Sequence, residues 1–286
     1  MPELPEVETL RRMLEAHVVG RAVRSVRLSG KRLREPVPRD TPRLLLGRTV
    51  RAVGRHGKFL LIGLDGGLTL LSHLGMSGRW LFFPCPPRER LPHVHARLGF
   101  TDRSALWFQD PRRFGLLRAV PTARLAADPA LATLGPDPLS HRPDGADLKS
   151  RARGLKLSVK NFLLDQKRIA GVGNIYASEI LHRAGVNPRR RAGSLTTAEW
   201  SATAAELQAV LREAIERFGT TFSMYRTLWN EPGTYGDQLR VYDRADEPCR
   251  RCGTAIRRIV QGQRSTFFCP RCQRRSAPRR AAALAR

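Results

Sequence analysis

Residues 249–272 read CRRCGTAIRRIVQGQRSTFFCPRC. Two Cys-x2-Cys pairs, Cys249/Cys252 and Cys269/Cys272, enclose a 16-residue spacer, which is the spacing of a tetrathiolate zinc ribbon in which each pair sets two thiolates on one tetrahedral ion. The alternatives are two disulfides or four free thiols. In a chain without a secretory signal the two tight pairs favour zinc. So short and polar a segment has little core of its own, so one structural Zn2+ would hold it folded. From Cys249 to the end there are eleven Arg and no Asp or Glu. Arg264 falls on the hairpin between the knuckles, placed to touch a phosphate or, more plainly, to sit in solvent. Cys85 is left over as a structural or incidental thiol.

The charge extends beyond the ribbon. The chain of 286 residues carries 51 Lys plus Arg against 25 Asp plus Glu, a formal net charge of +26. Such an excess points to a polyanionic partner, and nucleic acid is the usual one. Only six of the cations are Lys, a bias toward Arg that codon usage also produces. No apolar run approaches the roughly 20 residues that span a bilayer. The acidic start lacks the basic and apolar regions of a signal peptide. These features predict a soluble intracellular protein, large enough for two domains.

N-terminal to the ribbon the pattern is helical. Residues 196–219, TTAEWSATAAELQAVLREAIERFG, open with a Thr196/Glu199 capping box and close on Gly219. Before them, residues 160–185 read KNFLLDQKRIAGVGNIYASEILHRAG. This predicts a helix ending near Ile169, a turn rich in glycine, and a second helix opening near Ile175. Backbone N–H groups at that second N-terminus suit a phosphate, although such a pair can also be plain packing. Lys160 and Asn174, flanking the turn, favour nucleic acid.

Residues 121–147, with five prolines and few periodic apolar positions, mark the joint between domains. Ahead of the joint, from about Ala22 to Leu117, short alternating runs broken by Gly and Asp predict a sandwich or barrel-like sheet. One Asp-Gly turn, within LDGGLTLL, marks a hairpin. The chain starts MPELPEVETL. Pro5 suits a first helical turn, Glu6 and Glu8 suit the positive end of a helix dipole, and Val7, Leu10, Leu14 and Val18 form one apolar face. Helix chemistry leaves Pro2 and Glu3 without a role.

The ordered motifs PELPEVET, HGKFLL, SHLGMSG, DPRRFG, GVGNIYASE and the four-cysteine ribbon resemble bacterial formamidopyrimidine-DNA glycosylases over almost the whole chain. Endonuclease VIII-like relatives begin Pro-Glu-Gly-Pro-Glu and lack DPRRFG, so Leu4 and the complete DPRRFG favour the oxidised-purine branch. The resemblance implies an α+β fold: an N-terminal β-sandwich with flanking helices (1–135), a helix-two-turn-helix domain (136–240), a zinc ribbon (241–275) and a basic, disordered tail (276–286).

It also implies an enzyme, a bifunctional glycosylase and abasic-site lyase. Once the initiator Met is removed, Pro2 offers a secondary amine of ordinary α-amino basicity, partly unprotonated at neutral pH and able to attack a sugar C1′. Glu3 is the adjacent general acid/base. Lys58 resembles the family lysine that holds the lesion phosphate, and a strand-edge surface lysine is the plain alternative. Glu6 is either a second carboxylate or a helix cap. Met76, Arg112 and Phe114 match the side chains that fill the space left by an extruded nucleotide. Asp110-Pro111 predicts an exposed, stiff turn before them. His73, His93 and His95 match histidines that touch backbone phosphates, and Thr220, Thr221 and Tyr225 lie in the loop over the everted base. The resemblance implies double-stranded DNA with oxidised bases or abasic sites as partner, a monomer in the bacterial cytoplasm at the nucleoid, and no organic cofactor. A noncatalytic zinc-ribbon DNA-binding protein would share every feature except Pro2-Glu3.

Overall fold

The computed structural model describes residues 1–89, 91–221 and 225–275. The chain forms two compact units: Met1–Asp137 with Ile169–Gly171 and Leu211–Gln238, and Pro138–Arg168 with Val172–Val210 and the residues from Leu239 onward. The first cut lies close to the expected joint. The units are not simple consecutive stretches, because two short returns of chain pack with the N-terminal sheets and the ribbon packs with the helices. The tail at 276–286 lies outside the described residues.

In the first unit, α1 (Leu4–Val18) buries the expected Val7, Leu10, Leu14 and Val18, each at most 1% exposed. Full burial of such side chains stabilises by about 1.5–3 kcal/mol each. Strand β1 (Val23–Leu28) and the short helix α2 (Thr41–Leu45) follow. Then come β2 (Val50–His56), β3 (Phe59–Leu64), β4 (Leu68–His73), β5 (Arg79–Phe83), β6 (Val94–Phe100), β7 (Ala105–Gln109) and β8 (Leu116–Pro121). They make two four-stranded antiparallel sheets, ordered β1-β6-β7-β5 and β2-β3-β4-β8. This is a sandwich. Asp65-Gly66-Gly67 joins β3 to β4 as the Asp-Gly pair predicts.

Every residue of β4 is buried. Leu68 and Leu70 enter the core between the sheets, whereas Leu71, on the opposite face, is covered with Phe59, Leu116 and Val120 by Leu125, Leu131 and Leu134. The proline-rich stretch therefore does more than connect, since its leucines dry the outer face of a sheet.

The second unit holds α3 (Pro138–His141), α4 (Gly145–Ala152), α5 (Val159–Leu164), α6 (Asn174–Arg183) and the first turns of α7 (Thr197–Glu216), whose last turns belong to the first unit. The Thr196/Glu199 box is present, with Thr196 N–H donating to Glu199 Oε2 and Glu199 N–H to Thr196 Oγ1. Helix α5 ends at Leu164, five residues before the expected Ile169. Asp165 caps it with an extended backbone, and Gln166 Nε2 donates to the carbonyls of Leu164 and Val172, which turns the chain early. The hairpin of β9 (Arg257–Gln261) and β10 (Arg264–Phe268) completes the ribbon. Among the described residues no helix is long and apolar enough to cross a membrane.

Candidate active site and nucleic-acid interface

The acidic N-terminus is built around one carboxylate. Glu3 is the N-cap of α1, and Glu6 closes a capping box by accepting the Glu3 N–H at Oε2 (2.7 Å). Glu6 Oε1 accepts the Thr220 N–H (2.7 Å), and the Tyr225 hydroxyl donates to the Glu6 carbonyl (3.4 Å). Burial and the nearby Glu6 charge raise the Tyr225 phenol, so it stays protonated as a donor. Glu3 is 3% and Glu6 1% exposed, and Pro2 is buried beside them. Glu8 serves a different end: although burial pushes its pKa up, Arg11, Arg12 and Arg55 bring it below the ordinary value.

Gly171 ties this end to the strand turn that carries Lys58. Its carbonyl accepts the Leu4 N–H (3.0 Å), its φ is +93°, and a Cβ there would meet the Leu4 side chain at 2.6 Å. Only glycine fits so close an approach at that backbone angle. Gly57, the residue before Lys58, sits against Ala170 and Gly171, and its N–H donates to Asp137 Oδ2 (2.8 Å). Arg55, whose side chain is 5% exposed, bridges Asp137 and Glu8. Lys58 itself is 6% exposed. His73, paired with Phe59 across β3 and β4, accepts the Gly75 N–H at Nδ1 (2.9 Å). Burial, with Arg34 and Lys58 nearby, lowers its pKa to about 3, so it is a neutral ring whose Nε2–H is a donor.

Two tight turns carry the expected gap fillers. Met76 is 39% and Phe114 44% exposed, unusual for such side chains, and Arg112 stacks over the Phe114 ring at 4.9 Å. The brace beneath is Asp110, fully buried. Its Oδ2 accepts the Gly115 N–H (2.7 Å), its Oδ1 accepts the Ser77 hydroxyl, and Ser77 Oγ accepts the Arg112 N–H (3.1 Å). At Gly75, with φ +61°, a Cβ would overlap the Phe114 backbone at 2.4 Å, so the turns meet main chain to main chain. His93 is exposed. His95, expected at a phosphate, is 4% exposed, and both its ring nitrogens are engaged, Nδ1 with Ser29 Oγ and Nε2 with the Asp110 carbonyl. Its place is inside this brace.

In the second unit Lys160, expected to meet DNA directly, is fully buried. Its Nζ donates to the Ser265 carbonyl (2.9 Å) and to Thr266 Oγ1 (2.6 Å). Asn174, the first residue of α6, donates from Nδ2 to the same carbonyl (2.9 Å). Both therefore hold β10, at whose first position Arg264 is exposed. Turn and hairpin make one face in which Lys160 is a support beneath Arg264.

The four sulfurs of Cys249, Cys252, Cys269 and Cys272 lie within 4.8 Å of one another, with 3.4 Å between Cys252 and Cys269 and 4.0 Å between Cys249 and Cys272. A tetrahedral zinc with bonds of about 2.3 Å requires sulfurs about 3.8 Å apart, so the donor set fits one structural Zn2+.

Family models match along the chain: the formamidopyrimidine-DNA glycosylase N-terminal domain over residues 1–117, its H2TH domain over 134–226, and a zinc finger found in FPG and IleRS over 246–275. A formamidopyrimidine-DNA glycosylase of Methylococcus capsulatus is 46% identical over 278 residues, covering 96% of this chain and all of the relative. The chain belongs to the formamidopyrimidine-DNA glycosylase family. The Bordetella pertussis member is 44% identical with the same coverage. Among solved structures, a Lactococcus lactis Fpg mutant bound to DNA containing Fapy-dG superposes with a TM-score of 0.88 at 30% identity, covering 96% of this chain and 100% of that one. MutM in complex with DNA containing carbocyclic 8-oxo-G gives 0.87 at 30%, again over 96% and 100%.

Sequence reasoning did not find Gly171, Arg55, Asp137 or Asp110's role as a brace in this glycosylase fold. Asp137 carries no local signal, because its partners Arg55 and Gly57 are 82 and 80 positions away. Gly171 was visible as a turn residue, but its partner Leu4 was not. In the loop from Gly219, described here up to Thr221 and again from Tyr225, Leu228 is buried in the sandwich core. Trp229 packs edge-on against His17 (4.9 Å) and Phe82 (5.6 Å). Trp229 thus anchors this loop on α1 and β5.

Proposed function

We propose that the chain is a bifunctional glycosylase and abasic-site lyase that removes oxidised purines from double-stranded DNA, acting as a monomer at the nucleoid in the cytoplasm. The observation that carries the reading is the buried Glu3–Glu6–Thr220 arrangement beside Pro2, with Gly171 joining it to the Lys58 turn. Helix capping needs Glu6 and leaves Pro2 unexplained.

With Met1 removed, the Pro2 nitrogen attacks C1′ of the extruded nucleotide. The C1′–N9 bond breaks, its electron pair leaves with the base, and the base takes a proton. Glu3 donates a proton to O4′ as the sugar ring opens, which gives an iminium at C1′. Loss of a C2′ proton expels the 3′ phosphate, and loss of a C4′ proton then expels the 5′ phosphate. Water releases the sugar fragment and regenerates the amine. Lys58 and the neutral Nε2–H of His73 hold the lesion phosphate, while Met76, Arg112 and Phe114 occupy the emptied stack. Arg264, with the α6 turn, grips a second phosphate. Zinc keeps the ribbon folded and takes no part in the chemistry.

Borohydride trapping tests this. An 8-oxoguanine:cytosine duplex is expected to give a covalent adduct located on Pro2 by mass spectrometry. Absence of an adduct with that duplex and with an abasic one, under conditions where both bind, would leave only a DNA-binding protein.

A further inference from the structure

Helix α6 turns two polar side chains toward the ribbon, one turn apart. Glu179, 1% exposed, accepts the backbone N–H groups of Arg240, Val241 and Tyr242 at 2.8, 2.9 and 2.8 Å, fixing the chain that leads into the first knuckle. His182, also 1% exposed, places Nε2 3.5 Å from Cys249 Sγ, within reach of an N–H···S bond. Its Nδ1 is buried and has no hydrogen-bond partner among the described residues. A neutral imidazole has one N–H, and an orphaned buried N–H is rarer in proteins than an orphaned acceptor. The proton therefore belongs on Nε2, facing the sulfur.

The second knuckle is tied to the turn after α6. Gln273 Oε1 accepts the Cys269 N–H (2.9 Å), its Nε2 donates to the Val186 carbonyl (2.9 Å), and Asn187 Nδ2 donates to the Gln273 carbonyl (2.7 Å). At the other end of the helix, Asn174 holds Ser265, next to Arg264. Four thiolates around one Zn2+ leave two excess negative charges, and a buried N–H directed at one sulfur offsets part of that charge and orients the ligand.

We propose that His182 is a positioning residue of the zinc site. Its Nε2–H donates to the Cys249 thiolate and makes α6 the strut through which the metal fixes Asn174 against the hairpin that carries Arg264. The assignment does not depend on the glycosylase chemistry.

The test uses the full chain. In cadmium-substituted wild-type protein, NMR should show metal coupling to the His182 Nε2 proton, transmitted across the sulfur. Coupling directly to a ring nitrogen would make His182 a ligand, and a ring proton found on Nδ1 would remove the donor; either overturns the proposal. His182→Phe should release zinc to a chelator about tenfold faster or more. In the cobalt-substituted protein it should move the thiolate-to-metal charge-transfer band to lower energy, and His182→Gln, which keeps a donor, should recover part of both changes. Amide protection in the first turn of α6 should fall in the Phe variant. Unchanged release and an unchanged band refute the bond, and unchanged protection refutes the strut. If the Phe variant does not fold, the cadmium experiment decides alone.

Discussion

Asp110 is the residue on which the presentation of Met76, Arg112 and Phe114 depends most directly. Its carboxylate receives two donors in a fully buried setting, the Gly115 N–H at 2.7 Å and the Ser77 hydroxyl. Hydrogen bonds to a charged group contribute about 1.5–3 kcal/mol each, and a buried donor left without its partner costs its desolvation. Asp110→Ala removes both acceptors, so local stability at the turns should fall by about 3–6 kcal/mol. Asp110→Asn retains one acceptor oxygen and should lose about half as much. Amide exchange reads this directly: at about 1.4 kcal/mol per tenfold, Gly115 should exchange at least about 100-fold faster in the Ala variant. Gly75 should follow, because its turn touches the Phe114 backbone. Single-turnover excision from an 8-oxoguanine:cytosine duplex should slow in parallel. Exchange at Gly115 within threefold of wild type would refute the claim that this carboxylate holds the turns together.

Two further outcomes follow from burial. Lys160→Met should weaken duplex binding through a loosened hairpin and leave the salt dependence of Kd unchanged, whereas Arg264→Ala should weaken binding and reduce the slope by about one; equal slopes in the two variants would put Lys160 on a phosphate after all. The His73 ring, with pKa about 3 folded against 6.5 in the unfolded chain, binds a proton between those values only when unfolded. Its contribution is complete above about pH 6.5 and is lost as pH falls toward 3, about 2 kcal/mol by pH 5. His73→Gln should flatten the acid limb of a urea-denaturation series by that amount, and an unchanged limb would contradict the neutral buried ring.

How much could be read in advance depended on how local the cause was. The ribbon, the α1 stripe and the Thr196/Glu199 box are set by neighbours within a few positions, and each appears where the pattern places it. Asp110-Pro111 announced an exposed turn, and Arg112 and Phe114 are exposed on it. The burial of Lys160 was not legible, because a cation near a glycine turn has the same composition whether its ammonium meets solvent or a carbonyl 105 positions away. The surroundings of His95 were hidden for the same reason, its partners Ser29 and Asp110 being brought to it by strand pairing. In sequence the motif around Gly171 reads as either a phosphate turn or plain packing, and in the fold it has two jobs: residues 169–171 hold the N-terminus and the Lys58 turn, and Asn174 opens α6.

That division explains why a chain so rich in arginine gathers acid at its start. A carboxylate has two oxygens, and Glu6 uses one for Glu3 N–H and the other for Thr220 N–H. Glutamine offers a single acceptor oxygen, and its amide nitrogen would face a second N–H, so no neutral residue of this length can serve both. Glu8 likewise needs its charge, because Arg55 beneath it is buried and would otherwise rely on Asp137 alone among its carboxylate partners. The dipole of α1 stabilises both at no further cost. Helix formation and the fixing of Thr220 and Arg55 thus select the same residue types at the same positions, and a reading of propensity alone finds the helix, in which Glu3 proves to be the N-cap, yet leaves Pro2 over. The residue that helix chemistry leaves unexplained is the one to test as the nucleophile.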